Sequence, residues 1–184
     1  NPMDKINTIK AESRLREPLT YEELEILRTG CKTLRQKCIL ETFYSTCVRL
    51  SELVNIDISD ISFNEQKINV IGKGNKERIV YFNARTKVYL QKYIQTRNDN
   101  SPALFVTERA PINRLGRRGI QREIKKIQKQ SGLKANIYAH RLRHTGASHM
   151  LDKGIAIETI QEILGHENLS TTQLYAKTSQ SNVE

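Results

Sequence analysis

Between Ile61 and Asn83 the chain changes its hydrophobic period, and that change restricts the fold more than any other feature. The stretch "ISFNEQKINVIGKGNKERIVYFN" offers three short strands with the alternation strands show. Turn-forming residues near Asn64 to Gln66 and at Gly74 and Asn75 separate them, the chemistry of hairpin connections. A small three-stranded antiparallel sheet is therefore expected. Helical patterns flank it. Upstream, "LTYEELEIL" places Thr20 three residues before Glu23, a capping box. A long pattern carrying Leu34, Ile39, Leu40 and Phe43 follows over about residues 33–47, and "RLSELVNI" suggests a further helix. From about residue 85 helices return in "TKVYLQKYIQTR", "RRGIQREIKKIQKQSG", "AHRLRHTGASHMLDKG", "AIETIQEILG" and "STTQLYAK", with Gly132, Gly154 and Gly165 where helices stop. Helices, then a sheet, then helices predict a mainly α, α+β domain.

The 184 residues, 38% of them hydrophobic, suffice for one real core. Residues 1–18, "NPMDKINTIKAESRLREP", are polar, charged and Pro-bounded, and read as a linker from a preceding domain, with the domain proper over residues 19–184. Thirty Lys and Arg against twenty Asp and Glu leave a formal charge of +10, suited to a polyphosphate partner. No apolar run approaches a membrane span and no charged-then-apolar leader is present, so a cytoplasmic location is expected. Cys31, Cys38 and Cys47 form no CxxC pair, which argues against a zinc ribbon or disulfide framework and for reduced thiols.

The segment "YAHRLRHTGASHM", residues 138–150, gathers His140, Arg141, Arg143, His144 and His149 on one expected helix. Residues three or four apart share a face, so His140 and Arg143 project together with His144 beside them. Leu142, Ala147, Met150 and Leu151 turn toward a core. One reading is a solvated basic surface helix. A second is zinc at the i, i+4 pair His140 and His144, which Arg143 disfavours because one cation repels another. A third is an anion site, in which arginine supplies forked recognition of phosphate and histidine titrates near neutrality.

Four more stretches accompany it: "STCVRLSEL" with Arg49, "VIGKGNKER" with Lys73, "LGHENLSTTQLY" with His166, and Tyr175 at the end of that last stretch. Together they resemble the catalytic domain of the tyrosine recombinases, the phage-integrase family. That family's pattern is an Arg in a "TGxRxSEL" segment, a hairpin Lys, an "HxLRH" box, "LGH", and a Tyr nine residues later. The likeness runs from about Leu19 to Lys177. It implies the tyrosine recombinase catalytic fold, a helical domain with a small three-stranded sheet, and the site residues Arg49, Lys73, His140, Arg143, His166 and Tyr175. One departure is Cys47, where the family usually has glycine. Glycine tolerates positive φ and close approach, so the local geometry around Arg49 is in question.

The chemistry gives these residue types a reason of their own. A phosphodiester under attack gains negative charge on its non-bridging oxygens, which fixed cations such as Arg49 and Arg143 would stabilise. A tyrosine hydroxyl has an unperturbed pKa of about 10, so Tyr175 needs a base such as His140 or a positive field. Ser170 and Gln173 make a capping box that would start a short helix carrying Tyr175. Lys73 suits protonation of a departing 5′ oxygen, and His166 a hydrogen bond to a phosphate oxygen. His144 is expected as a buried support and His149 at the surface. Arg114, Arg117, Arg118, Lys125 and Lys126 are candidates for a DNA-facing surface.

The resemblance implies site-specific recombination or integration through a 3′-phosphotyrosyl intermediate, with no metal or nucleotide cofactor. Implied partners are double-stranded DNA, other recombinase protomers assembled on it, and accessory DNA-bending proteins. Two alternatives stay open: a type IB topoisomerase-like relaxing activity, and a non-catalytic DNA-binding relative.

Overall fold

The computed structural model describes residues 17–165. Among them are seven α-helices and three strands: α1 (Tyr21–Thr29), α2 (Leu34–Thr46), α3 (Leu50–Asn55), β1 (Ile61–Ser62), β2 (Lys67–Ile71), β3 (Glu77–Tyr81), α4 (Ala84–Gln95), α5 (Arg117–Ser131), α6 (Ala139–Asp152) and α7 (Ile157–Leu164). The mainly helical α+β architecture is as expected. Residues 1–16 of the expected linker, and the short helix expected around Tyr175, lie outside the described residues.

Local chemistry sets the helix ends. At α1 the Thr20 hydroxyl accepts from the Glu23 amide at 3.1 Å while the Glu23 carboxylate accepts from the Thr20 amide at 2.9 Å, a reciprocal pairing of otherwise orphaned donors. The Thr33 hydroxyl caps α2 by accepting from the Gln36 amide, and the Asn83 side-chain oxygen caps α4 by accepting from the Thr86 amide. Gly132 and Gly165 close α5 and α7 in the left-handed region, at φ 71° and 59°.

The sheet runs β1-β2-β3, antiparallel throughout, with Lys67 opposite Tyr81 and Ile71 opposite Glu77. Gly74 and Asn75 take positive φ at the β2–β3 turn. Strand alternation turns Ile68, Val70 and Val80 into the core and leaves Ile71, Ile79 and Tyr81 exposed. Arg78, paired with Val70, falls in the inward phase.

Helix α2 is the central element, buried on most of its circumference through Cys38, Ile39, Leu40, Phe43 and Thr46. It packs against α4, α5 and α6. Two of its charged residues pair across helices: Glu41 receives Arg28 of α1 at 2.6 and 2.9 Å, and Arg35 meets Glu123 of α5 at 3.1 Å. A smaller cluster of Cys47, Ala147, Ile160 and Leu164 fastens α7 to the end of α2 and to α6. The three cysteines are buried and free, and burial pushes the Cys31 and Cys47 thiols up to about 12, so both stay protonated.

Candidate active site

The site is built around the reversal between α2 and α3. Cys47 ends α2 at φ 52°, ψ 30°, so the left-handed conformation that glycine favours is kept by a non-glycine residue, at an expense of about 1–2 kcal/mol. The thiol is fully buried against α6. There Gly146 is required by contact, because a Cβ at 146 would come within 2.2 Å of the Tyr44 carbonyl oxygen and 2.7 Å of Cys47 Sγ. The reversal makes Arg49 the N-cap of α3, with its backbone N–H donating to Glu52 Oε2 at 2.7 Å. Cys47 therefore preserves the turn, and Arg49 is held in place.

Arg143 projects from α6 and is only 2% exposed. Its Nη1 donates to the Cys47 carbonyl at 2.6 Å and its Nη2 to the Leu164 carbonyl at 2.7 Å. Two carbonyls from separate elements thus fix the guanidinium plane. Arg49 reaches the same region: Nη1 donates to Glu52 Oε1 at 3.0 Å and Nη2 to the Gly165 carbonyl at 3.3 Å. Arg49, His140 and Arg143 line one cleft of 350 Å³, with Tyr138 and Gln121 beside them. The N-terminus of the 14-residue α6 opens on this cleft, which adds helix-dipole attraction for an anion. His140 sits below its ordinary pKa, first because the cleft desolvates it and then because the Arg143 and Arg49 charges oppose protonation. A neutral imidazole beside two guanidinium groups can accept a proton near pH 7.

Glu52 is the residue that ties the arginines together. Its side chain is 2% exposed, and besides Arg49 it receives Arg78 of β3 at both oxygens, at 2.5 and 2.9 Å. Burial raises a carboxyl pKa, but the Arg78 hydrogen bonds and the Arg49 backbone N–H outweigh that and hold Glu52 below its usual value. Sequence reading missed Arg78. The signal was available: an arginine in the inward phase of a strand, between residues that alternate outward, is a buried charge that must be matched.

His144 is largely withdrawn from solvent, in keeping with a supporting role, and its pKa falls to about 4, from burial first and then from the His140 and Arg141 charges. His149 corrects the expectation of a surface residue. It is 4% exposed, pairs through Nδ1 with the Tyr44 hydroxyl at 3.0 Å, and through Nε2 with the Leu19 carbonyl at 2.9 Å. Its ring stacks on Tyr21 at 3.9 Å. The reason is helical phase, since position 149 lies seven residues from buried Leu142 and four from buried Thr145.

An acid-stability prediction follows from His144. Its folded pKa lies below the unfolded value, so the unfolded chain takes up the proton first and stability is complete above about 6.5 and lost as pH falls toward 4. The loss is on the order of 2–3 kcal/mol. Urea denaturation of His144→Gln across this range should show a flatter acid limb than the wild type; an unchanged limb would assign the acid loss to other groups.

Lys73 opens a single 3-10 turn at the tip of the β2–β3 hairpin, directly after Gly72. His166 and Tyr175 lie outside the described residues. Of the five basic residues considered for a DNA-facing surface, Arg114 is engaged internally, donating to the Val54 carbonyl at 2.8 Å and pairing with Asp57 at 2.5 Å. Lys126 pairs with Glu123 at 2.9 Å. Arg117, Arg118 and Lys125 are exposed along α5, whose outer side also carries exposed Arg122 and Lys129.

The chain is similar to known proteins over most of its length. A relative from Pyrococcus horikoshii, the tyrosine recombinase XerA, is 39% identical over 95% of the chain and 61% of its own length. XerC from Chlamydia caviae is 38% identical over 97% of the chain and 60% of its own length. The chain thus spans about three fifths of each. Among solved structures, a XerA recombinase superposes with a TM-score of 0.80 at 29% identity, covering 90% of the chain and 63% of that structure. A XerH site-specific recombinase bound to its palindromic difH substrate after cleavage matches at 0.76 and 23% identity, over 92% of the chain and 52% of that structure, a likeness of fold. The phage integrase family model matches residues 17–182, and with the hairpin, the Arg49–Glu52 turn and the His140–Arg143 helix in place, the chain belongs to the phage integrase family.

Proposed function

We propose that the full-length protein is a site-specific DNA recombinase in which Tyr175 attacks a scissile phosphate. The observation that carries this reading is the cleft where Arg49 and Arg143, each anchored by fixed acceptors, stand beside a neutral His140. The phenolic oxygen of Tyr175 forms a bond to phosphorus as the bond to the 5′ oxygen breaks. The phenolic proton passes to His140 or to a water it holds, and the 5′ oxygen takes a proton from Lys73. The product is a 3′-phosphotyrosyl linkage and a free 5′ hydroxyl; a 5′ hydroxyl from a partner strand reverses the step. Arg49 and Arg143 neutralise the charge that grows on the non-bridging oxygens, and His166 adds a hydrogen bond there. Strand exchange needs a second duplex, so further protomers would pair on DNA. A cytoplasmic location belongs to the same reading. Among the described residues no helix is long and apolar enough to cross a membrane.

The test is a protein–DNA band resistant to detergent, formed by the full-length protein on a nicked duplex in EDTA, since the arginines supply the charge a Lewis acid would. A requirement for added divalent metal would count against the scheme. Rejoining only of the original strand would favour the relaxing activity, and binding without adduct the non-catalytic relative. Lys73→Ala should slow cleavage of the ordinary diester by about 10²-fold or more, yet leave a 5′-bridging phosphorothiolate cleaved at nearly the wild-type rate, because a thiolate departs unprotonated. Equal defects on the two substrates would make Lys73 a binding residue.

A further inference from the structure

We propose that Arg78 is a positioning residue of the active site, one that holds Glu52 and the exit of α7 so that Arg49 stays available to the phosphate. The proposal rests on the recombinase reading above and names a residue that the six-residue site does not contain.

Three consecutive carbonyls at the end of α7 each accept from a different arginine. Ile163 receives Arg78 Nε at 3.0 Å, Leu164 receives Arg143 Nη2 at 2.7 Å, and Gly165 receives Arg49 Nη2 at 3.3 Å. The last carbonyls of a helix lack intrahelical partners, and here side chains from β3, α6 and the α3 N-cap supply them. The segment leading to His166 is thereby fastened to the arginines on which the chemistry depends.

Of the two arginines on Glu52, Arg78 is the less exposed. Its side chain is 14% exposed against 36% for Arg49, and both meet the nearly buried Glu52. A carboxylate with two arginines leaves one net positive charge. Arg78 engages both Glu52 oxygens in a fork, the geometry that best neutralises a carboxylate. The more exposed Arg49 is then the member whose charge faces an incoming anion. Two glycines close over the pair. A Cβ at Gly165 would lie 3.2 Å from Arg78 Cδ and 3.3 Å from its Nε, and one at Gly72 would lie 3.4 Å from Glu52 Oε1 and 3.6 Å from Arg78 Nη1. Gly72 precedes Lys73 and Gly165 precedes His166, so Arg78 and Glu52 underlie the backbone just before two proposed site residues.

Removing Arg78 leaves the nearly buried Glu52 carboxylate with Arg49 as its remaining arginine, and the net positive charge of the set falls from one to zero. Glu52 would then draw Arg49 away from the phosphate. A lysine cannot restore the arrangement, because an ammonium lacks the planar fork and the separate Nε donor.

The experiment uses the full-length protein and a nicked duplex selected by the wild type from a randomised pool. Single-turnover adduct formation at saturating DNA, DNA affinity and thermal midpoint are measured for Arg78→Met, Arg78→Lys and Arg78→Met with Glu52→Gln. In Arg78→Met the rate should fall about 30-fold or more while affinity stays within about threefold, since the loss belongs to the transition state. Arg78→Lys should recover little. Adding Glu52→Gln to Arg78→Met should raise the rate about fivefold, because a neutral amide releases Arg49. It also removes the carboxylate that has lost its more buried partner, so the double variant still reports if Arg78→Met alone fails to fold. Wild-type rate in Arg78→Met, or a double variant slower than Arg78→Met, overturns the proposal while the recombinase reading stands. No adduct from the wild type on any duplex removes the recombinase reading, and this inference with it.

Discussion

Tyr175→Phe in the full-length protein is expected to lose covalent DNA attachment altogether, by about 10³-fold or more, while DNA affinity changes less than about twofold. The substitution deletes one oxygen and keeps the ring, so under the proposed reaction the nucleophile alone is lost. In the proposed reaction the residues of the cleft activate that oxygen. His140 is kept neutral by desolvation and by its arginine neighbours, which suits it to take the phenolic proton, and the same guanidinium groups favour a phenolate. Gel shift at low salt measures affinity, and the detergent-resistant band measures attachment. Undiminished adduct in Tyr175→Phe would remove Tyr175 from the mechanism and require another nucleophile.

The fold was legible where local chemistry and periodicity point the same way. Thr20 and Glu23 announce α1, Gly74 and Asn75 announce the hairpin turn, and Gly132 and Gly165 mark helix ends that the backbone places in the left-handed region. Arg49, His140 and Arg143 were legible as chemistry, and the structure brings them to one cleft. What residue type alone could not show was how each cation is used. Arg114, read as a surface cation, instead ties the end of α3 through backbone carbonyls, and Arg78 folds back on Glu52. Both meet residues distant in sequence, and a charge engaged by tertiary packing resembles a solvated one until the packing is known. His149 lies in the buried phase of α6, and its partners at Leu19 and Tyr44 are distant in sequence. Cys47 raised a local question that φ answered, since a non-glycine residue accepts the left-handed turn when its side chain gains a buried seat against Gly146.

Arg143→Lys should lower the rate of adduct formation about 10²- to 10³-fold at saturating DNA, the typical result of losing one oriented donor to a developing oxyanion. The formal charge is unchanged, so a mechanism that needs only a positive field would predict a small effect. The structure argues for geometry instead. Arg143 spends one donor on the Cys47 carbonyl and another on the Leu164 carbonyl, and a guanidinium carries five N–H donors in one rigid plane. These anchors orient the plane before any phosphate arrives, so little reorganisation accompanies the reaction. A lysine ammonium can turn toward either carbonyl or toward the phosphate, but it lacks the plane that serves all three. It would also leave a buried carbonyl without its partner, a penalty of about 1–3 kcal/mol in stability. Thermal unfolding and adduct kinetics on the same preparations separate the two effects. A fold loosened only near α7 should show a lowered midpoint together with the rate loss, and DNA affinity near the wild-type value. Wild-type kinetics in Arg143→Lys would mean that charge alone suffices at this position, and the anchoring carbonyls of Cys47 and Leu164 would then serve the fold and not the reaction.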